Sequence, residues 1–154
     1  MPAISYRYEK NNKKLMKNIL VLCTGNSCRS QIAEGYLRHF AGNQATIYSA
    51  GIETHGVNPK ATQVMAEDGI DISRHTSNNA DEYIKIQFDY VITVCDNAKE
   101  NCPFFPTNAQ RFHQNFPDPA KATGNPDEVM QSFRQVRDLI KTYAQNFVTQ
   151  YLKD

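Results

Sequence analysis

Two short apolar runs, KNILVLC at 17–23 and FDYVITVC at 88–95, each end on a cysteine. Runs that are apolar almost throughout, rather than alternating with period two, are strands buried on both faces. Such strands occur in parallel sheets covered by helices, and helical periodicity fills the gaps between them. Ile32, Ala33, Tyr36, Leu37 and Phe40 step along one face between Ser30 and Phe40. ATIYSAG, closed by Gly51, reads as another strand, and NPKATQVMAEDGID as a helix with Pro59 in its first turn and Gly69 near its end. AQRFHQNF reads as a fourth strand of polar character. From Asp127 to Leu152 a long closing helix is marked by a stripe of Val129, Phe133, Val136, Ile140, Ala144, Phe147 and Val148. The pattern predicts an α/β fold: an open, mostly parallel four-stranded sheet flanked by helices, with its ligand crevice at the carboxyl ends of the strands. Both cysteine-terminated strands deliver their thiols to that edge.

At 154 residues the chain is long enough for one domain with its own core and no disulfide staples, and we assign that domain to 18–154. Residues 1–17, MPAISYRYEKNNKKLMK, are polar and rich in Lys and Asn; they read as a flexible N-terminal extension, with Met16 an alternative start. They lack the apolar stretch and cleavage site of a signal peptide, and no apolar run has the length of a membrane span. A cytoplasmic protein without membrane contact is expected. Lys and Arg number 17 against 16 Asp and Glu, a net charge of +1, and no basic run is interleaved with aromatics. That excludes the global electrostatic signature of a nucleic-acid binder, so anion recognition must be local.

The segment CTGNSCRS, from Cys23 to Ser30, concentrates such recognition. A turn from strand into helix exposes backbone N–H groups that lack intrahelical partners, backed by the positive end of the helix dipole. Thr24, Gly25, Asn26, Ser27 and Cys28 supply these amides, and Gly25 and Asn26 are residue types able to take positive φ and curl them inward. Arg29, in the first helical turn, closes the cradle with a two-pronged fork. The result is a seat for a tetrahedral oxyanion with Cys23 as nucleophile, its thiolate form favoured by the same field and by a hydroxyl from Ser30. The loop lacks the Gly-Lys-Ser/Thr ending of a nucleotide-binding loop.

In a reducing compartment, four cysteines serve metal binding or redox catalysis rather than permanent staples. They form two pairs, Cys23 with Cys28 and Cys95 with Cys102. Residue types alone leave the second pair open between packing, zinc and redox chemistry. Its six intervening residues exceed the usual zinc-knuckle spacing, and no metal is expected. His39, His55, His75 and His113 show no ligand spacing and read as structural or solvated.

Cys-x5-Arg-Ser between a buried strand and a helix resembles the signature of low-molecular-weight protein tyrosine phosphatases and of the arsenate reductases that share their fold. Similarity to the thioredoxin-coupled arsenate reductases continues through CTGNSCRSQIAEG, YSAGIETHGVNPKA, GIDISRHTS, VITVCDNAKENCP, FPDPA and FRQVRDLI, most of the chain from Ile19 onward. The resemblance implies reduction of arsenate to arsenite in arsenic detoxification. Cys23 would attack arsenic, Cys95 would attack Cys23, and Cys102 would carry the disulfide to the surface for thioredoxin, or glutaredoxin, to reset. Phosphate and sulfate would compete for the seat, no cofactor is implied, and a monomer is expected. Asp118 in FPDPA matches the family's general acid. Ala120 and Lys121 follow it, where phosphatases of this fold carry aromatics that grip a phosphotyrosine ring. The alternative reading is a phosphatase that hydrolyses phosphate monoesters through a Cys23 phosphoenzyme, using only Cys23, Arg29 and Asp118. Cys28 is expected to pack within the loop.

The relay makes a demand on DNAKEN, between Cys95 and Cys102. Seven residues of α-helix rise about 10.5 Å, whereas a disulfide needs its Cα atoms within about 7 Å. A segment that is helical when reduced must unwind to form the bridge, and Asp, two Asn and the following Pro103 make it a weak helix. Some relatives bind potassium beside the loop. Asn26, Glu34 and Ser49 match that site, but Asn78 stands where those relatives have an aspartate, and the ion is not expected.

Overall fold

The computed structural model describes residues 16–96 and 99–152, so most of the stretch assigned to the N-terminal extension lies outside them. The elements are β1 (Lys17–Leu22), α1 (Arg29–Ala41), β2 (Ala45–Ala50), α2 (Pro59–Glu67), β3 (Tyr90–Thr93), β4 (Gln110–His113) and α3 (Pro126–Tyr151), with short 3₁₀ turns at Gly42–Gln44, Ala80–Tyr83 and Pro119–Lys121. The sheet runs β2-β1-β3-β4 and every described pairing is parallel. Lys17, counted both in the strand run 17–23 and in the extension 1–17, belongs to β1, where it is in register with Ala45 on β2.

This strand order decides where a ligand can sit. From β1 the chain moves outward to β2, then returns across β1 to β3 and on to β4. The carboxyl end of β1 is therefore the point where the winding direction reverses, and a crevice opens there between diverging connections. The Cys23 loop leaves β1 at that point.

Ile19, Val21, Ile47 and Ile92 point to one face of the sheet, where they share a buried cluster with Ile32, Tyr36 and Leu37 of α1, Val64 and Met65 of α2, and Phe133, Ile140 and Phe147 of α3. All three α-helices thus contribute to one side. The other face carries Leu20, Leu22, Ala50 and Val91, covered by Phe88, Phe105 and the partly buried Tyr48, Tyr83 and Ile86. The central strands are apolar in both directions because both faces are covered. β4 is polar because it is an edge: Gln110, Arg111 and His113 are exposed, and its half-buried Phe112 packs edge-on against Tyr90 and Phe147.

Helix ends follow local chemistry. The Asn58 side chain accepts from the Lys60 amide at 2.9 Å and Pro59 opens α2. Asn125 and Glu128 form a reciprocal capping box on α3, each such cap being worth about 1 kcal/mol. Among the described residues no helix is long and apolar enough to cross a membrane.

Candidate active site

The loop that follows β1 is held from behind. Asn26, fully buried, is the only non-glycine among the described residues with positive φ, at 47°. That conformation costs a side chain about 1–2 kcal/mol, and four hydrogen bonds hold it in place. Its amide donates to Ser30 Oγ at 2.8 Å and Ser49 Oγ at 3.0 Å, its Oδ1 accepts from the Asn78 amide at 2.7 Å, and its carbonyl accepts from Gln31 Nε2 at 3.0 Å. Ser49 in turn donates to Glu34 at 2.6 Å, while Glu34 is paired with Arg38 at 2.9 Å and His75 at 3.3 Å. The four positions compared with a potassium site are thus tied together by hydrogen bonds among themselves, and the Glu34 charge faces a guanidinium. Gly25, the other residue expected to take positive φ, does not. A Cβ there would stand 3.3 Å from the exposed His55 ring, a tight contact that a small shift of that ring relieves.

Gly51 is the residue that sequence reasoning undervalued. A Cβ on it would stand 2.6 Å from Thr24 O, 2.8 Å from Asn26 N and 2.8 Å from Glu53 O, all backbone atoms that cannot rotate away. The end of β2 is a floor on which the loop rests. Overpacking of this kind costs about 1–3 kcal/mol, and Gly51→Ala is expected to lower Tm by roughly 2–10 °C and to weaken phosphate binding. Calorimetric melting and titration of the variant check it; unchanged values for both would show that the loop has room to move.

Cys23, buried at the carboxyl end of β1, has the Ser30 hydroxyl 3.0 Å from its sulfur. A cavity of about 380 Å³ opens over it, lined by Cys23, Thr24, Gly25, Ser27, Cys28, Arg29 and Asp118 among the expected residues, together with His55 and Glu100. Asn26 and Ser30 are not in its wall; they lie behind it, fully buried. Burial, and then the Asp118 charge, push the Cys28 thiol up to about 12, so this second cysteine of the loop stays protonated and packs.

Arg29 is only 4% exposed. Its guanidinium donates to Phe116 O at 3.2 Å, lies 3.7 Å from Asp118 Oδ2, and is gripped by both carboxylate oxygens of Glu100: Nη1 to Oε1, and Nη2 to Oε2 at 3.0 Å. Asp118 itself caps the turn Pro119–Lys121 by accepting from the Ala120 amide at 3.0 Å, and it lines the cavity. Glu100 also accepts from Thr24 Oγ1 at 3.1 Å and from the Asp96 amide at 2.6 Å. Burial opposes its charge, but the hydrogen bonds from Arg29, Asp96 and Thr24 and the Arg29 charge outweigh it and hold the carboxyl at about 2, below an ordinary 4.5. A depressed carboxyl stabilises the fold above its unfolded pKa and loses that contribution as pH falls through the folded value. Wild-type protein with the disulfide formed is therefore expected to lose its melting-temperature advantage over Glu100→Gln as pH is taken from 4.5 towards 2. An advantage independent of pH over that window would contradict the assignment.

The remaining two expected residues stand apart from the cavity wall. Cys95 and Cys102 are joined by a disulfide with Cα atoms 5.8 Å apart, while Cys23 and Cys28 are free thiols. Cys95 is fully buried, in the same cluster as Cys23, and Cys102 is half-buried. The bridge thus runs from core to surface rather than lying at the surface. Lys99 and Glu100 donate to Asp96 O at 3.1 and 3.0 Å within the bridged segment; residues 97 and 98, also part of the DNAKEN stretch that must unwind if it is helical when reduced, lie outside the described residues. Cys102 opens on a second cavity of about 270 Å³ at the β3/β4 edge.

Glu100 and His55 had no sequence signal, since their roles come from contacts between distant segments; Arg29 and Glu100 are 71 residues apart. Gly51 had one: an Ala-Gly step at the end of a strand that must pass beneath another chain segment.

A family model described as low molecular weight phosphotyrosine protein phosphatase matches residues 18–154. The arsenate reductase of Halalkalibacterium halodurans is 49% identical over 138 residues, covering 87% of this chain and 97% of its own. Arsenate reductase 2 of Staphylococcus haemolyticus is 50% identical over 133 residues, covering 86% of this chain and 97% of its own. Among solved structures, an arsenate reductase in its phosphate-binding state superposes with a TM-score of 0.72 at 30% identity, over 90% of this chain and 100% of that one.

Proposed function

Since the chain belongs to the low molecular weight phosphotyrosine protein phosphatase family, we propose that it works that family's oxyanion seat as an arsenate reductase, a cytoplasmic monomer whose three thiols are recycled by thioredoxin. The observation that carries this reading is the second thiol pair. A phosphatase needs Cys23, Arg29 and Asp118 alone, yet Cys95 lies in the same buried cluster as Cys23 and is bonded to Cys102.

In the first step the Cys23 thiolate attacks arsenic, Arg29 and the loop amides hold the remaining oxygens, and Asp118 protonates the oxygen that leaves as water. Arsenic is then bound to Cys23 sulfur and still pentavalent. Cys95, as thiolate, attacks that sulfur; an S–S bond forms, and the electron pair of the breaking S–As bond passes to arsenic, which leaves as trivalent arsenite. Cys102 attacks Cys95 and frees Cys23 for the next round. Two thiols have become one disulfide while arsenic has gained two electrons, and the thioredoxin dithiol returns the pair to its starting state.

The testing experiment follows arsenate-dependent NADPH oxidation with thioredoxin and thioredoxin reductase. Sustained turnover is expected, and its absence from folded protein would overturn the reading. Phosphate monoester hydrolysis is the second reading, favoured by the completeness of the Cys23, Arg29 and Asp118 set without the other thiols. It predicts aryl phosphate hydrolysis that survives Cys95→Ala and Cys102→Ala.

A further inference from the structure

The cavity over Cys23 is built for an oxyanion, yet its arginine already holds a carboxylate from the protein itself. Glu100 engages both terminal nitrogens of Arg29 and the Thr24 hydroxyl. Two carboxylate oxygens on a guanidinium fork take the place that two oxygens of arsenate or phosphate would take. This is not a solvated surface pair: the Arg29 and Glu100 side chains are 4% and 12% exposed, and both line the cavity.

What puts Glu100 there is the segment closed by the Cys95–Cys102 disulfide. Glu100 lies two residues before Cys102, and its Oε1 accepts from the Asp96 amide at 2.6 Å, so Glu100 is held against the start of the bridged segment while the cysteine Cα atoms stand 5.8 Å apart. The same seven-residue step as α-helix would span about 10.5 Å. Once the bond is reduced, that compact closure is no longer enforced and Glu100 can leave the fork. While the bond persists, Glu100 is tethered beside Arg29 at a high effective concentration that a free oxyanion must outcompete.

We propose that Glu100 is a redox-gated competitor for the oxyanion seat: in the disulfide state its carboxylate occupies Arg29 and Thr24, and reduction of Cys95–Cys102 clears the seat for arsenate or phosphate. The proposal rests on the reductase reading only in taking that disulfide as one formed and reduced in each round. It orders the cycle, because spent enzyme does not take up an oxyanion before its thiols are restored.

Phosphate binding measured by calorimetry tests the gate without arsenate turnover. The oxidised sample is one in which Cys95 and Cys102 are bonded and Cys23 and Cys28 titrate as free thiols. Oxidised wild type is expected to bind phosphate about tenfold or more weakly than reduced wild type. Glu100→Gln, and independently Glu100→Ala, should bring the oxidised affinity to within about twofold of the same variant's reduced one. Equal affinities for oxidised and reduced wild type overturn the proposal, and that comparison needs no variant to fold. So does an oxidised affinity unmoved by both substitutions in protein that melts cooperatively. Absence of thioredoxin-linked arsenate turnover together with a persistent redox difference in phosphate affinity would remove the reductase reading and leave the gate standing. Turnover with equal affinities would remove the gate alone.

Discussion

Cys102→Ser is expected to release a single equivalent of arsenite and then stop. Cys23 and Cys95 remain, so arsenic can be bound, reduced and expelled, leaving a disulfide between them. Resetting that disulfide is the difficulty. Cys23 and Cys95 are both buried, at 2% and 0% exposure, and a reductant thiol needs a line of approach to the sulfur it attacks. Cys102, half-buried and opening on the β3/β4 cavity, is the sulfur with a route to solvent. Steady-state turnover with thioredoxin should therefore fall roughly a thousandfold or more, while a single-turnover assay on pre-reduced enzyme keeps its full amplitude. Rapid-quench measurement of arsenite in both regimes checks this. Loss of the first equivalent would mean that Cys102 acts in chemistry at arsenic; continued turnover would mean that the third thiol is dispensable.

Arg29→Lys is the second large effect. The side chain is buried, and its environment of Glu100, Asp118 and the Phe116 carbonyl is arranged for a planar group with several fixed donors. A lysine keeps the positive charge, so the two carboxylates retain a counter-ion and the fold is expected to survive. It cannot present two parallel donors to two oxygens. Losing one aimed donor to a developing oxyanion costs about 10²–10³ in rate, and kcat/KM for arsenate is expected to fall by that amount in protein that still melts cooperatively. A drop below about tenfold would show that the loop amides carry the oxyanion and that the guanidinium only neutralises charge. The same variant should narrow the difference in phosphate affinity between oxidised and reduced protein, because Glu100 loses its fork.

The order of strands and helices was readable because each element carries its own local signal. KNILVLC and FDYVITVC are apolar on both sides because both faces of the sheet are covered, and the stripe from Val129 to Val148 is the face that α3 buries. AQRFHQNF reads as a polar strand for a physical reason, since β4 is an edge strand with exposed Gln110, Arg111 and His113. Of the loop, Cys23, Arg29 and the intervening amides were legible as a cradle because a strand-to-helix turn dictates exposed N–H groups wherever it occurs. Which residue takes the strained conformation was not. Gly25 has the greater freedom, yet Asn26 adopts positive φ because its side chain finds Ser49 and Asn78 beneath it, and those partners are 23 and 52 residues away.

The sequence by itself determined an α/β chain whose first strand ends in a thiol under an oxyanion cradle, with an arginine, an Asp-Pro turn and a second pair of cysteines in reserve. Short-range rules suffice for this: apolar runs, helix termini, and residue chemistry a few positions apart. The tertiary structure decided what fills and supports the cradle. Gly51 passes beneath the loop at a distance that admits no Cβ, Asn26 is locked from the rear, Cys95 is sunk into the core cluster that also holds Cys23, and Glu100 arrives from the bridged segment to hold Arg29. Each is a contact between segments far apart in the chain, set by the path of the backbone between them. The Glu100 contact depends further on whether two sulfurs are bonded, a chemical state that the order of residues does not contain.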